Sequence, residues 1–216
     1  MDDLGNRIID CVRRNRTSTT EIADCLGKTG ALPGVMPLNR GKHVVGRVFW
    51  AYACNESNWA LHEKLRQVEP DTVVVVEHFN CAGRSSVGAL ISKFVLVHKE
   101  AGALVARAPV RDAPDLIREN WPIWCESVNP VGCFNRESDS HAPPNVVTER
   151  DTFYEQAIAV CDDCGVVIIP KAQQTDDFLD RVAAILEQEK IWFDCIDRRQ
   201  WDTFDTVCRK RYRSTE

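Results

Sequence analysis

The sequence predicts an α/β fold, because short apolar runs alternate along the chain with segments of helical spacing. Three of these runs are nearly uninterrupted, which is the pattern of a strand buried on both faces, and they span residues 72–76, 103–106 and 165–169. With 216 residues, 44% of them apolar and 27% charged, the chain is long enough for one domain with its own core.

The first half of the chain is predicted to alternate helix, strand, helix and strand. Ser18 or Thr19 is suited to cap a helix that Gly27 closes, and a second helix stops before Pro70. In order, the predicted elements are a helix to residue 26, a loop at 30–41, a strand at 43–52, a helix at 58–68 and the buried strand at 72–76.

The second half repeats the alternation and ends in an amphipathic helix. Its apolar side includes Phe178, Val182 and Ile185, at the spacing of one helix face. In order, the predicted elements are a helix at 87–97, the strand at 103–106, a helix at 113–120, a strand at 122–125, a loop at 129–144, the strand at 165–169 and the helix at 176–188.

Charge and composition exclude several classes of partner. The net charge of −5 favours neither nucleic acid nor an anionic membrane, and no apolar run reaches the length of a membrane span. The first ten residues lack the pattern of a signal peptide, and the ten cysteines lie mostly among apolar neighbours, so we expect a reducing, cytoplasmic location. We assign residues 1–190 to one domain and 191–216 to an extension, which either packs on a neighbouring subunit or ends as a solvated basic tail.

Arg111 and Asp112 follow a predicted buried strand and precede a helix start. Two interpretations of this pair remain open from the residues alone. Asp112 can be the N-cap of the helix, with Arg111 an ordinary surface cation. Alternatively, since ligands of α/β folds gather at the carboxyl ends of strands, Arg111 can bind a carboxylate and Asp112 a hard divalent cation.

An ordered set of segments resembles the RraA-like family, which includes class II 4-hydroxy-4-methyl-2-oxoglutarate aldolases and regulators of ribonuclease E. Together the segments cover about residues 17 to 170 at near-family spacing. They are TSTTEIADCLGKTGAL (17–32), HVVGRVF (43–49), NWALHEKL (58–65), PDTVVVVE (70–77), the stretch from Gly88 to ALVARAPVRD (103–112) and DDCGVVIIP (162–170).

This resemblance implies a swivelling β/β/α domain with a central barrel-like sheet flanked by helices, assembled as a homotrimer or a hexamer with sites between subunits. It also implies that Arg111 binds the carboxylate of a 2-oxo acid and that Asp112 binds magnesium, or manganese in its place. The backbone of Gly88, Ala89 and Leu90 would assist substrate binding.

The chain departs from the family pattern near this pair. Ala89 and Leu90 stand where the family usually has an acidic residue, and Arg107–Ala108 replaces its usual Asp–Gly. We therefore expect a metal-dependent lyase of aldolase or decarboxylase type with altered specificity, in which Arg107 contacts the substrate. The alternatives are a non-catalytic binding or regulatory protein, and a biosynthetic enzyme with other chemistry recruited from the fold.

Three other patterns are weaker candidates. Cys161 and Cys164 have the C-x-x-C spacing of zinc and redox sites, but the sequence offers no second such pair. Asp162–Asp163 can be a metal site or a turn before the next strand, and His62 can act in acid–base chemistry or in a structural hydrogen bond.

Overall fold

The sheet has seven strands, and the four in its centre are parallel. The parallel strands are β2 (Val44–Cys54), β3 (Val73–Phe79), β4 (Ala103–Val110) and β5 (Ile123–Val128). Three further strands pair antiparallel at the edges, namely β1 (Met36–Pro37), β6 (Ile158–Asp162) and β7 (Gly165–Ile169). The strand order is β1-β5-β4-β3-β2-β6-β7. This is a computed structural model, and it describes residues 4–213.

Helices cover the outer face of the sheet in two groups. One group packs on β3 to β5 and consists of α3 (Trp59–Leu65), α4 (Ala89–Lys93, followed by a π-helical turn at Phe94–His98) and α5 (Ala113–Arg118). The other packs on β6 and β7 and consists of α1 (Leu4–Asn15), α2 (Thr19–Cys25) and α7 (Asp176–Asp197). A further helix, α6 (Pro144–Tyr154), leads into β6.

The sheet curls so that strands far apart in its order meet. The indole N–H of Trp124 on β5 donates to the carbonyl oxygen of Asp162 on β6 at 2.8 Å, although three strands separate β5 from β6. The resulting interior is filled by a core that includes Trp50, Val75 and Ile168. The predicted α/β class and the barrel-like sheet are therefore confirmed.

Local sequence signals located most elements correctly but missed α1, α6, β6 and the two-residue strand β1, which lies in the predicted loop at 30–41. The capping box between Ser18 and Glu21 begins α2 as predicted. By contrast, α6 buries only Tyr154, so it has no apolar stripe that periodicity could detect. α1 buries Ile8, Ile9 and Val12 on one face, so its helical apolar spacing is present in the sequence and was not recognised.

The C-terminal region is continuous with the last helix. α7 runs without a break across residue 190 to Asp197, so the predicted boundary between domain and extension lies inside a helix. Within the described chain, Tyr212 returns to α7 and donates from its hydroxyl to Gln188 Oε1 at 3.0 Å. Packing of 191–216 on a neighbouring subunit stays a prediction, and residues 214–216 lie outside the described range. Across 4–213, no helix has the length and apolar character needed to cross a membrane.

Candidate functional site

The Arg111–Asp112 pair lies directly after β4, where three segments meet. β4 is longer than predicted and ends at Val110, which forms a parallel bridge with Val87 in the loop before α4. The Arg111 N–H then donates to the carbonyl oxygen of Val87 at 2.9 Å. The pair is thus fixed between the carboxyl end of a parallel strand and the start of α4, which is where α/β folds place ligands.

The Asp112 carboxylate caps α4 and not the helix that follows it. Asp112 is at the N-cap position of α5, as predicted, but its side chain makes no hydrogen bond to that helix. Instead Oδ2 accepts the N–H of Ala89 at 3.0 Å, and the Arg111 Nε lies 3.8 Å from the same oxygen. Asp112 has φ +59°, and this left-handed conformation turns its side chain away from its own helix.

Two glycines make room for these side chains. A Cβ on Gly88 would collide with Asp112 Oδ2 and lie 2.8 Å from Arg111 Cγ. A Cβ on Gly132 would collide with Arg111 Nη1. The Arg111 side chain therefore lies in a slot between two glycines, with 48% of it exposed, and Asp112 is 41% exposed. Gly132 was not predicted, because its only sequence signal is a glycine in a long loop.

The geometry at Asp112 fits magnesium better than zinc. Among residues 4–213 there is no group of three or more His, Cys, Asp or Glu side chains that could hold a metal ion. The contacts described for the carboxylate involve Oδ2, so Oδ1 can serve as a ligand. Magnesium is often held by one or two carboxylates, with water and substrate oxygens completing its shell, whereas zinc needs three or four protein ligands.

Arg107 belongs to a different cluster, centred on the buried carboxylate of Glu77. Its Nη1 donates to Glu77 Oε1 at 2.5 Å, and Arg150 Nε lies 3.5 Å from Oε2. Trp50 Nε1 donates to Oε2 at 3.0 Å, and the Tyr154 hydroxyl donates to Oε1 at 3.2 Å. Burial, reinforced by the Glu77 charge, raises the pKa of Tyr154 to about 12, so Tyr154 remains a donor at neutral pH.

This cluster forms one wall of a cavity of about 400 Å³ at the carboxyl ends of β3 and β4. Arg107 and Arg150 reach the cavity together with Cys81 and Glu126. The predicted role of Arg107 as a substrate contact stays a prediction. The structure adds that its guanidinium is already paired with Glu77.

A match to a family model decides the assignment. The model of the RraA-like family, described as Aldolase/RraA, matches residues 19–168. The chain belongs to the RraA-like family. That family includes metal-dependent aldolases and non-catalytic ribonuclease inhibitors, so membership by itself leaves both kinds of function open.

One curated relative is distant in sequence. Protein DlpA of Legionella pneumophila subsp. pneumophila (strain Philadelphia 1) is 24% identical over 196 residues, which are 88% of this chain and 31% of DlpA. The chain therefore spans about a third of the length of that curated relative.

Two solved structures share the fold. A protein from Pseudomonas syringae pv. tomato str. DC3000 has a TM-score of 0.70 at 19% identity, covering 95% of this chain and 94% of its own. Streptomyces coelicolor RraAS2, an unusual member of the RNase ES inhibitor RraA protein family, has a TM-score of 0.63 at 24% identity. The match covers 84% of this chain and 92% of RraAS2.

Among the weaker candidates, Asp162 and Asp163 make structural contacts. The Cys161 thiol lies in the barrel core, where burial raises its pKa, while Cys164 is exposed. Asp162 Oδ2 and Oδ1 accept from the N–H and hydroxyl of Thr19, each at 2.7 Å, which ties β6 to α2. Asp163 Oδ1 accepts the N–H of Gly41 at 2.8 Å. These contacts favour the turn interpretation of Asp162–Asp163.

His62 lies on α3 beside the exposed side of α4. It lines a cavity of about 390 Å³ together with Leu90, Phe94 and His98. Burial lowers the pKa of His62 and so favours its neutral ring. Leu90 stands where the family usually has an acidic residue, and its side chain is 79% exposed beside this cavity.

Proposed function

We propose that this protein is a divalent-metal-dependent lyase that acts on a small 2-oxo acid or a related carboxylate. The observation that carries the proposal is the placement of the Arg111 guanidinium beside the Asp112 carboxylate, both partly exposed, at the end of β4. A guanidinium group beside a carboxylate that can bind a metal ion suits a substrate with a carboxylate and a neighbouring carbonyl oxygen.

Each group then has a separate task. Arg111 binds the substrate carboxylate through parallel N–H bonds, and Gly132 leaves the space in which its guanidinium sits. Asp112 holds magnesium, or manganese in its place, and the metal supplies Lewis-acid polarisation of the 2-oxo group. The Ala89 N–H is bonded to Asp112 and therefore positions the metal ligand. In the predicted Gly88–Leu90 segment, this leaves the backbone N–H groups of Gly88 and Leu90 as our proposed substrate contacts.

The side chains near this site favour decarboxylation over aldol cleavage. Aldol cleavage requires a base to remove the hydroxyl proton of the substrate, whereas a 2-oxo acid with a second carboxylate on C3, such as oxaloacetate, loses that carboxylate as carbon dioxide and leaves the pyruvate enolate without that step. This chain has the apolar residues Ala89 and Leu90 at the positions where its family usually carries an acid. We therefore expect decarboxylation of oxaloacetate to exceed cleavage of hydroxylated 2-oxo acids.

Assembly into a homotrimer or hexamer is part of the proposal. Leu90, Val97 and Ile117 are apolar side chains with 48% or more of their area exposed on or beside the α4–α5 side of the domain. A second copy packed there would cover them and enclose the neighbouring Arg111–Asp112 pair. Light scattering coupled to size-exclusion chromatography measures the assembly directly.

A second candidate function, a non-catalytic binding or regulatory protein, is favoured by one observation. The Asp112 carboxylate caps α4, and that structural role alone is a reason to keep the residue. The test must therefore separate the cap from the metal ligand.

Asp112→Asn and Asp112→Ala make that separation. An asparagine amide oxygen can still accept the Ala89 N–H and tolerates the left-handed backbone, but it removes the charge that binds a cation. Alanine loses the cap as well, at a cost of about 1 kcal/mol. Pyruvate release from oxaloacetate with Mg²⁺ or Mn²⁺ is measured against metal alone, since free metal gives a background rate.

The lyase predicts protein-dependent pyruvate release that EDTA abolishes. It further predicts that Asp112→Asn loses this activity and Mn²⁺ binding while unfolding at nearly the wild-type urea concentration. The regulatory alternative predicts no metal binding in the wild type and an effect of Asp112→Ala on stability alone. That second pattern would remove the lyase from consideration.

A further inference from the structure

Two arginines share one buried carboxylate in the cavity of about 400 Å³ at the carboxyl ends of β3 and β4. That carboxylate belongs to Glu77, which is 4% exposed. Within the described chain, four groups contact its two oxygens, and they belong to Arg107, Arg150, Trp50 and Tyr154. A carboxylate has about four acceptor positions, so these partners use its acceptor capacity. Its single negative charge balances only one of the two guanidinium groups.

Both guanidinium groups keep N–H donors without a partner. Arg150 Nε lies 3.5 Å from Glu77 Oε2, and across residues 4–213 no hydrogen bond reaches its Nη1 or Nη2. The Arg150 side chain is 33% exposed and lines the cavity. Arg107 donates from Nη1 to Glu77, while its Nε is buried and has no hydrogen-bond partner in the described chain. The cavity wall therefore combines an excess positive charge with unused donors, and this combination binds oxyanions.

A β-bulge places Arg107 at this wall. Ala106 pairs with Cys125 and Pro109 pairs with Ser127, so three steps along β4 match two steps along β5. Arg107 lies inside this bulge, and both Arg107 and Pro109 line the cavity. Bulges redirect a side chain from its regular position and are common beside ligand sites. The backbone irregularity of β4 thus coincides with the charged wall.

The other titratable side chains that line the cavity leave the positive excess in place. Burial lowers the pKa of His78 to about 4, so its ring is neutral at pH 7. The Cys81 thiol donates to the carbonyl oxygen of Phe79 at 3.5 Å. Glu126 is exposed on β5, where water and salt screen its carboxylate, whereas Glu77 is buried among its partners.

The cavity is separate from the proposed lyase site. Among the described residues that line it are Arg107 and Pro109 of β4, but neither Arg111 nor Asp112. The Arg111 side chain lies instead in its slot between two glycines. An anion bound in the cavity therefore occupies a second place in the fold, and the inference does not depend on the lyase activity.

We propose that this cavity is a binding site for a small oxyanion, a carboxylate or a phosphate, held by the Nη groups of Arg150 in the excess positive charge of Arg150 and Arg107. The volume of about 400 Å³ corresponds to about a dozen water molecules at about 30 Å³ each, so phosphate or a small dicarboxylate fits. Arg150 belongs to α6, which buries Tyr154 alone among its 11 described residues. A bound anion would therefore also strengthen the attachment of α6 to the barrel.

Calorimetric titration of the full-length protein at pH 7 tests the site with two probes, inorganic phosphate and malonate. The titrations use Arg111→Gln, which removes the carboxylate site of the proposed lyase, at constant ionic strength. Saturable binding of either probe is expected, and the tighter probe gives the ligand class. Adding Arg150→Gln should weaken binding about tenfold, the loss expected for hydrogen bonds from a charged group. The matched control is Arg181→Gln on α7, whose guanidinium also forms an ion pair at 3.5 Å, and it should leave binding unchanged.

Chemical labelling of the wild-type protein locates the anion even if a variant fails to fold. Phenylglyoxal modifies guanidinium groups, and the modified peptides are identified by mass. A probe at ten times its Kd leaves about a tenth of the sites free, so it should slow modification of Arg150 about tenfold and leave Arg181 unchanged. The proposal is overturned if neither probe binds saturably, if Arg150→Gln binds as tightly as the protein that keeps Arg150, or if both arginines are protected equally.

Discussion

Replacing Glu77 by Gln tests how much the buried charge cluster contributes to the stability of the barrel. The Glu77 side chain is 6% exposed and receives hydrogen bonds from Arg107, Trp50 and Tyr154, with Arg150 nearby. Glutamine keeps the shape but removes the negative charge, and its amide N–H₂ would face groups that are themselves donors. Two guanidinium groups would then share a pocket with no anion between them.

The expected cost follows from the burial of the partners. Removing one member of a fully buried ion pair destabilises a protein by about 3–5 kcal/mol. Arg107 and Arg150 are 28% and 33% exposed, so water at the cavity can partly solvate the remaining charges. We therefore place the loss near the lower limit, at about 3 kcal/mol. Glu126→Gln is the matched control, because Glu126 lines the same cavity but is exposed, and it should cost less than about 0.5 kcal/mol.

Urea unfolding followed by tryptophan fluorescence measures both variants. With a slope of about 2 kcal/mol/M, Glu77→Gln should lower the midpoint by about 1.5 M. A double-mutant cycle with Arg107→Met should give a coupling of about 2 kcal/mol, within the range for residues in one ion-pair network. A Glu77→Gln midpoint indistinguishable from that of Glu126→Gln would refute the reasoning, and so would a coupling near zero.

Two further perturbations probe Gly132, beside Arg111, and the partly buried His78 of β3. Gly132→Ala should displace the Arg111 guanidinium without straining the backbone. It should lower kcat/KM for oxaloacetate about tenfold and change the free energy of unfolding by less than about 1 kcal/mol. An unchanged KM together with a lower stability would contradict this. Burial lowers the pKa of His78 from 6.5 to about 4, so on acidification the unfolded chain binds a proton before the folded protein does. The contribution of the neutral ring to stability is therefore fully present above pH 6.5 and is lost as the pH falls toward 4. Wild type should lose about 2 kcal/mol more than His78→Gln between pH 7 and pH 5 in urea unfolding, and equal losses would show that His78 does not carry the effect.

The buried strands were predictable because their signal is local. Val73–Phe79 and Gly165–Ile169 are nearly continuous apolar segments. A strand of this kind is stable only when both of its faces are buried away from water. The start of α2 was predictable for the same reason, since its capping box lies within four consecutive residues. α6 was not, because a helix with one buried residue carries no periodic pattern and is specified by the elements on either side of it.

The sequence by itself determined the family and the α/β class, because ordered motifs and apolar strands are patterns of neighbouring residues, and it singled out Arg111 and Asp112 as the candidate site. Only the tertiary structure decided what those residues touch. It showed that the Asp112 carboxylate caps α4, that Gly132 borders Arg111, and that Arg107 is paired with Glu77. Each of these contacts joins residues at least 20 positions apart, and such contacts form only when the sheet and its loops have folded, so no local pattern encodes them.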